Sequence, residues 1–267
     1  MKETTRLFNI ETGEKFNSIK AFLEYYNQHY YDKTSLWVEQ QIDELLKQEM
    51  MSETDLLHIF AWKTNRINHN KSEETKSFVF TKGSGKTSAQ WEINLEKKTA
   101  TAVTRRVIRN IYPFLDFISN KLDKNLKSDD ILKQIKEQAP YGIGTVYLIT
   151  FLYFITCGDE PIYDVFAMAA LDAIYPTDQD SPSLDLGSIV KQRTLPSKND
   201  GGFKNLLNPE KTGRFRSKYI IYKEKLQKFM DEVKDERKKS GEEPIDYKDC
   251  RCFDRALWAY GHCFSLK

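Results

Sequence analysis

The segment with the clearest chemical pattern runs from Ala139 to Asp164 and joins a glycine-containing turn to a carboxylate. Because glycine tolerates backbone angles that other residues avoid, Gly142 and Gly144 favour a turn that a phosphate can approach closely. The apolar stretch Thr145–Cys157 follows as a predicted helix, and the free N–H groups at the start of a helix suit an anion. We therefore predict a carboxylate at Asp164 connected to an anion-binding turn that consists of Gly142, Ile143, Gly144 and Thr145.

A second phosphate-binding pattern lies at residues 83–87, whose sequence GSGKT matches the end of a P-loop. Phe80 occupies the position where that motif requires its first glycine, and the surrounding pattern indicates a hairpin rather than a strand followed by a helix. We expect a hairpin loop here, in which Lys86 touches a phosphate backbone. Nucleotide hydrolysis through Lys86 stays open as a further alternative.

The cysteines and histidines do not form a recognisable metal site. Zinc ligands are usually separated by two to four residues, whereas a single residue separates Cys250 from Cys252. His262 and Cys263 follow too far along to complete an iron–sulfur pattern. The sequence predicts no metal and no other cofactor. Cys157 is expected to be a buried free thiol, and the cysteines are expected to be reduced.

The spacing of apolar residues predicts a mostly α chain with one small β hairpin. Ser18, Ser52 and Ser128 are predicted N-caps, the second of them in a capping box with Asp55. Pro113 is expected to interrupt its helix. The predicted helices span 18–30, 34–50, 52–63, 101–122, 128–139, 145–157, 165–174, 215–239 and 247–264, and the predicted strands span 77–80 and 90–95.

Composition and charge restrict the partners only weakly. The 267 residues carry a net charge of +2 and 13% aromatic residues, which indicates a packed globule rather than disorder. Ten basic and three acidic residues lie between Lys191 and Lys225, and this segment is either a footprint for a polyanion or a solvated loop. The apolar run after Gly144 is too short for a membrane span, and no leader sequence is visible. We expect a cytoplasmic protein without a membrane partner.

Two helices joined by Pro140–Gly144 form a helix–hairpin–helix pattern, and with Asp164 it resembles the helix–hairpin–helix DNA glycosylases of the endonuclease III and adenine-mismatch glycosylase type. In that superfamily a Gly-hydrophobic-Gly turn precedes a helix, and the catalytic aspartate follows at a fixed distance. Here 18 residues separate Val146 from Asp164, which is the usual interval. The segment Phe253–Gly261 is similar to the last helix of 8-oxoguanine glycosylase folds, including the archaeal branch.

The resemblance implies a single glycosylase-like unit with two helical lobes, an N-terminal lobe with the hairpin (about 1–125) and a helix–hairpin–helix lobe (about 126–267). Asp254 and Trp258 match the pair that lines the base pocket in that superfamily, and Trp62 is a further candidate for the pocket. Core packing is an equally good explanation for both tryptophans.

The activity implied is that of a monomeric DNA glycosylase that flips a base out of double-stranded DNA and hydrolyses its N-glycosidic bond. Bifunctional members carry a lysine where this chain has Val146, so the resemblance implies a monofunctional enzyme that uses water. An oxidised purine is the implied substrate, and a modified base of phage DNA is an alternative. The competing class is a helix–hairpin–helix DNA-binding or interaction module without catalysis.

Overall fold

The computed structural model is mostly α-helical and describes residues 7–31, 36–48, 50–63, 67–68, 92–93, 111–176, 186–213, 216–245 and 251–264. Its helices are α1 (Ile19–Tyr31), α2 (Leu36–Leu46), α3 (Glu53–Lys63), α4 (Ile111–Asn120), α5 (Ser128–Gln138), α6 (Thr145–Ile155), α7 (Val165–Ile174), α8 (Leu186–Arg193), α9 (Lys218–Ser240) and α10 (Cys252–Phe264). A 3-10 helix spans Gly201–Asn205. None of the helices in these ranges is long and apolar enough to cross a membrane.

The strands described are β1 (Ile67–Asn68) and β2 (Glu92–Ile93), which pair antiparallel with Ile67 opposite Ile93. Strand β2 lies inside the second predicted strand and pairs with β1. The predicted first strand and the turn at 82–86 lie outside the described residues, so the structure does not show the hairpin that the sequence predicts.

The chain divides into two compact units, one formed by Trp37–Glu160 and the other by Met1–Leu36 together with Pro161–Lys267. This division differs from the lobes predicted from the sequence, which were separated near residue 125. The N-terminal helix α1 packs against α10 and α9, while α3 packs against α4 and α6. The first helix therefore belongs with the C-terminal elements.

The unit Trp37–Glu160 is organised around the apolar helix α6. Phe151 of α6 stacks with Phe60 of α3 at 6.4 Å between ring centroids and meets Phe114 of α4 edge-on at 5.4 Å. Helix α5 packs against α4 and α6. Because α6 is covered by three other helices, nearly all of its residues are buried, which explains its continuous apolar sequence.

The second unit is built around α10, which packs against α1 and α7. Tyr260 of α10 lies 5.1 Å from the ring of Phe22 and 4.9 Å from that of Tyr26. On the α7 side, a Cβ at Gly261 would overlap the backbone carbonyl of Phe166. Glycine at this position therefore allows α10 to approach the first turn of α7 closely.

Two of the predicted N-caps are confirmed and one is wrong. Ser18 Oγ accepts from the Ala21 N–H (3.0 Å), and Ser52 and Asp55 form a reciprocal capping box. Ser128 is instead the first residue of α5, whose cap position is Lys127 with no side-chain hydrogen bond. The exposed first turn, with its two aspartates, replaces a cap through its favourable interaction with the helix dipole.

Backbone geometry bears on two further expectations. Pro113 lies in the first turn of α4, where proline is tolerated because the N–H there needs no helical partner. Residues 101–110 lie outside the described residues, so the interruption of the longer predicted helix stays a prediction. Cys157 is exposed, because α6 ends at Ile155 and Cys157 takes a left-handed conformation (φ 49°). The Gly158 N–H donates to Tyr153 O and the Cys157 N–H to Phe154 O, which is a Schellman ending.

Cys157 and Cys263 are free thiols, as expected for reduced cysteines. Cys250 lies outside the described residues, so the redox state of Cys250 and Cys252 stays a prediction. Within the described ranges, no group of three or more histidine, cysteine, aspartate or glutamate side chains is arranged to hold a metal ion.

Candidate functional site

The predicted anion-binding turn has the backbone of a type II turn. The Ile143 N–H donates to Pro140 O (3.2 Å), and Gly142, the third residue of the turn, has a φ of 90°. Ile143 is buried and anchors the turn. Gly142 and Gly144 are exposed on either side of it. The turn thus presents bare backbone to solvent at the N-terminus of α6.

The two glycines differ in whether their backbone conformation requires glycine. Gly142 needs to be glycine because its φ lies in the left-handed region. Gly144 has an ordinary extended conformation (φ −78°, ψ 150°), and a Cβ there would lie 3.6 Å from the ring of Tyr147, which is normal van der Waals contact. No contact within the described residues explains a glycine at 144.

Asp164 follows an extended segment that buried tyrosines hold in place. The Tyr219 hydroxyl donates to Pro161 O at 2.7 Å, and the Tyr163 hydroxyl donates to Arg193 O at 2.5 Å. The ring of Tyr222 meets that of Tyr163 edge-on at 5.1 Å. The backbone segment that precedes Asp164 is thus held in place by tyrosine side chains of α9 and by the end of α8.

Asp164 itself is half-buried and forms the N-cap of α7. Its Oδ1 accepts from the Phe166 N–H at 2.9 Å. An N-cap is a common structural role for aspartate, and it leaves the second carboxylate oxygen outside this hydrogen bond. Asp164 is therefore both a helix cap and a positioned carboxylate.

A second carboxylate, Asp254 of α10, lies close to the same group of tyrosines. Asp254 is 8% exposed, and the Tyr222 hydroxyl donates to its Oδ1 at 3.5 Å, near the upper limit for a hydrogen bond. Burial, and then the carboxylates of Asp254 and Asp164, raise the pKa of Tyr222 well above its ordinary value. Tyr222 therefore remains a protonated donor near both carboxylates.

Trp258 belongs to a group of half-buried aromatic side chains on α10 and α7. Its ring stacks on His262 at 4.8 Å with an interplanar angle of 30°, and Phe166 meets the two rings at 6.0 and 5.0 Å. Tyr30 of α1 contacts the ring of Trp258 edge-on at 5.3 Å. Phe166 is also the residue whose backbone N–H binds Asp164, so one ring of this group belongs to a residue that is hydrogen-bonded to the candidate catalytic carboxylate.

The structure brings Asp164, Asp254 and Trp258 together within one unit, whereas Gly142–Thr145 and Trp62 belong to the other. Trp62 packs edge-on against Phe154 at 6.4 Å, and its indole N–H donates to the buried Glu39 at 2.8 Å. These contacts give Trp62 a structural explanation within its own unit.

Some of the basic side chains between Lys191 and Lys225 form ion pairs with carboxylates of the same chain. Arg193 and Lys225 are buried against Asp172, and Arg216 pairs with Glu224. The fully exposed bases in the described part of this segment include Lys191, Lys204 and Lys211. The surface available to a polyanion is therefore smaller than the sequence count indicates.

Sequence reasoning missed two residues at this site, Tyr222 and His262. The sequence offers His262 only as a metal ligand, although its position four residues after Trp258 places it on the same face of a helix. Tyr222 gave no signal, because its partner Asp254 is 32 residues away along the chain.

Comparison with known proteins gives no family: no family model matches the chain, and neither a curated protein nor a solved structure matches it.

Proposed function

We propose that this protein is a DNA glycosylase that flips a damaged or modified base out of the duplex and hydrolyses its N-glycosidic bond. The observation that carries the proposal is the position of Asp164, a half-buried carboxylate on a segment fixed by tyrosines, in the same unit as Asp254 and the aromatic group of Trp258. Its spacing from the glycine turn and its resemblance to helix–hairpin–helix glycosylases add to this support.

In the proposed reaction Asp164 faces the sugar of the flipped nucleotide. As the C–N bond lengthens, positive charge grows on the sugar, and a nearby carboxylate stabilises it. Water adds to the sugar carbon and transfers its proton to Asp164, while the bonding electrons leave with the base. Val146 is apolar and offers no amine, so the proposed reaction proceeds without a Schiff base.

Trp258, His262 and Phe166 supply ring surfaces that suit a flipped base, since bases bind by stacking in such pockets. Asp254 accepts hydrogen bonds from N–H groups, and the protonated Tyr222 holds its carboxylate in place. The bare turn at Gly142–Thr145 is assigned to a backbone phosphate, which positions DNA without reading its sequence.

Base release by the purified protein tests the proposal. Duplexes that contain 8-oxoguanine, unmodified duplexes and phage-modified DNA are incubated with the protein, and the released bases are identified by mass spectrometry. Release of one class of base is the expected result, and no release from any of them contradicts the proposal. A covalent adduct trapped by borohydride would contradict the monofunctional assignment.

One observation favours a second candidate, a DNA-binding or interaction module without catalysis. The hydrogen bond from the Phe166 N–H already explains an aspartate at 164 as a helix cap. This candidate predicts that duplex DNA binds to the protein and that no base is released.

A further inference from the structure

Arg193, at the end of α8, is a buried cation with an incomplete set of partners. The residue is 4% exposed, and its Nε donates to Asp172 Oδ2 at 2.8 Å. The other oxygen of Asp172 accepts from Lys225 Nζ at 2.6 Å, so both carboxylate oxygens are engaged. Arg193 Nη1 is buried and has no hydrogen-bond partner among the described residues. Since buried polar atoms are normally paired, this nitrogen has a donor position to offer to a partner outside the described residues.

A second cation lies next to this guanidinium. Lys218 Nζ donates to the backbone carbonyl of Thr194, the residue after Arg193, at 3.3 Å. Burial, and then the charge of Arg193, lower the pKa of Lys218. Lys218 is also the first residue of the 23-residue helix α9, whose N-terminus carries a partial positive charge. Lys218 therefore adds a second positive charge to the region around Arg193.

We propose that Arg193 and Lys218 form a binding site for an oxyanion of the phosphate class. The planar fork of a guanidinium fits two oxygens of a phosphate, and a lysine adds a compact charge. A halide ion would neutralise the positive charge, but it has no pair of oxygens to accept both hydrogen bonds of the guanidinium. Either inorganic phosphate or a phosphodiester of bound DNA supplies this chemistry. The proposal does not depend on base excision.

Thermal unfolding in 50 mM sodium phosphate, compared with sodium chloride at equal ionic strength, tests the site directly. We expect phosphate to raise the Tm of the wild type by roughly 2–4 °C, as a ligand that binds only the folded state does. Lys218→Ala should lose most of this shift. Lys238→Ala is the matched control, because it removes the same charge from the same helix about 30 Å away.

Arg193→Lys provides a second variant, since it keeps a cation for Asp172 but removes the guanidinium fork. It should also lose the phosphate-specific shift. If this variant does not fold, Lys218→Ala still decides the question. An equal phosphate shift in the wild type and Lys218→Ala would overturn the site as a binder of free phosphate.

A DNA-binding measurement distinguishes free phosphate from a phosphate of DNA as the ligand. The affinity for an undamaged duplex is measured across a salt series, and each phosphate contact contributes about 0.9 to the slope of log K against log salt. A slope reduced by about one in Lys218→Ala, but unchanged in Lys238→Ala, identifies a DNA phosphate as the ligand. A phosphate-specific Tm shift without a change in slope identifies a free oxyanion. If neither effect depends on Lys218, the proposal is wrong.

Discussion

Gly142 and Gly144 lie in the same turn, but the backbone conformation of the turn requires glycine only at position 142. Gly142 has a φ of 90°, whereas Gly144 has ordinary extended angles and room for a Cβ. A glycine without a local reason on an exposed turn is consistent with the close approach of a phosphate. Substitutions at the two positions can therefore test separately the stability of the turn, at Gly142, and its proposed binding of phosphate, at Gly144.

We expect Gly144→Ala to keep the wild-type stability and to bind duplex DNA about tenfold more weakly, which corresponds to about 1.4 kcal/mol. Gly142→Ala should lose about 1–2 kcal/mol of stability because an L-residue is strained at this φ. Fluorescence anisotropy and chemical denaturation measure the two effects. Unchanged DNA affinity in Gly144→Ala would contradict phosphate binding at the turn.

His58 of α3 gives the stability a dependence on pH. Burial lowers its pKa from 6.5 to about 3, so the folded protein keeps it neutral while the unfolded chain protonates it below pH 6.5. The stability is then complete above pH 6.5 and decreases as the pH falls toward 3. Between pH 7.5 and 5 we expect the wild type to lose about 2 kcal/mol that His58→Leu does not lose.

Urea denaturation of both proteins at the two pH values measures this difference, and the other histidines cancel because both proteins retain them. Equal losses of stability in the wild type and His58→Leu would show that His58 is not the buried neutral group described above.

At the scale of elements, Trp258 and Asp254 lie on α10, which packs against α7, the helix that Asp164 caps. Gly261 is the point of closest approach, since a Cβ there would overlap the Phe166 carbonyl. Helix backbones that meet at a glycine cannot separate without moving their other side chains. The geometry of the candidate site therefore depends on this contact.

Gly261→Ala is expected to destabilise the fold by about 1–3 kcal/mol or more, as overpacking does in a close-packed core. Gly201→Ala serves as the control, because a Cβ at Gly201 has no atom within 4 Å. Thermal unfolding compares the two variants. Equal Tm values would contradict the close approach of α10 and α7.

The helices that were predictable from the sequence are those with strong apolar spacing and local end signals. Ser18 and the Ser52–Asp55 box indicate the starts of α1 and α3, and the glycine turn indicates the start of α6. Helix α8 and the 3-10 helix Gly201–Asn205 lie in the polar stretch 177–213, which the sequence predicts as a long loop with at most one short helix. Local propensity is weak there, so the positions of these helices depend on contacts with other elements.

In the candidate site, too, the features set by neighbouring residues are predictable from the sequence, and the contacts between distant residues are not. Asp164 was identified from a spacing along the chain, and its role as the cap of α7 is equally local. The tyrosine contacts to Pro161 and Asp254 join residues 58 and 32 positions apart. Such contacts exist only after the chain has folded, so a single sequence carries no pattern for them.

At the scale of the whole molecule, the two units do not follow the order of the chain. Met1–Leu36 joins Pro161–Lys267 because α1 packs against α10, and Glu236 of α9 accepts hydrogen bonds from the first N–H groups of α1. The proposed phosphate turn belongs to the unit Trp37–Glu160, and Asp164 belongs to the unit formed by Met1–Leu36 and Pro161–Lys267.

The central claim is that Asp164 acts on DNA rather than only capping α7, and Asp164→Asn separates the two roles. Asparagine caps a helix about as well as aspartate, so this variant should fold with a wild-type Tm and bind DNA normally. Its loss of charge should slow single-turnover base release by about 10²–10⁴-fold, on the duplex that the wild type cuts fastest. Base release at the wild-type rate by Asp164→Asn would contradict the account.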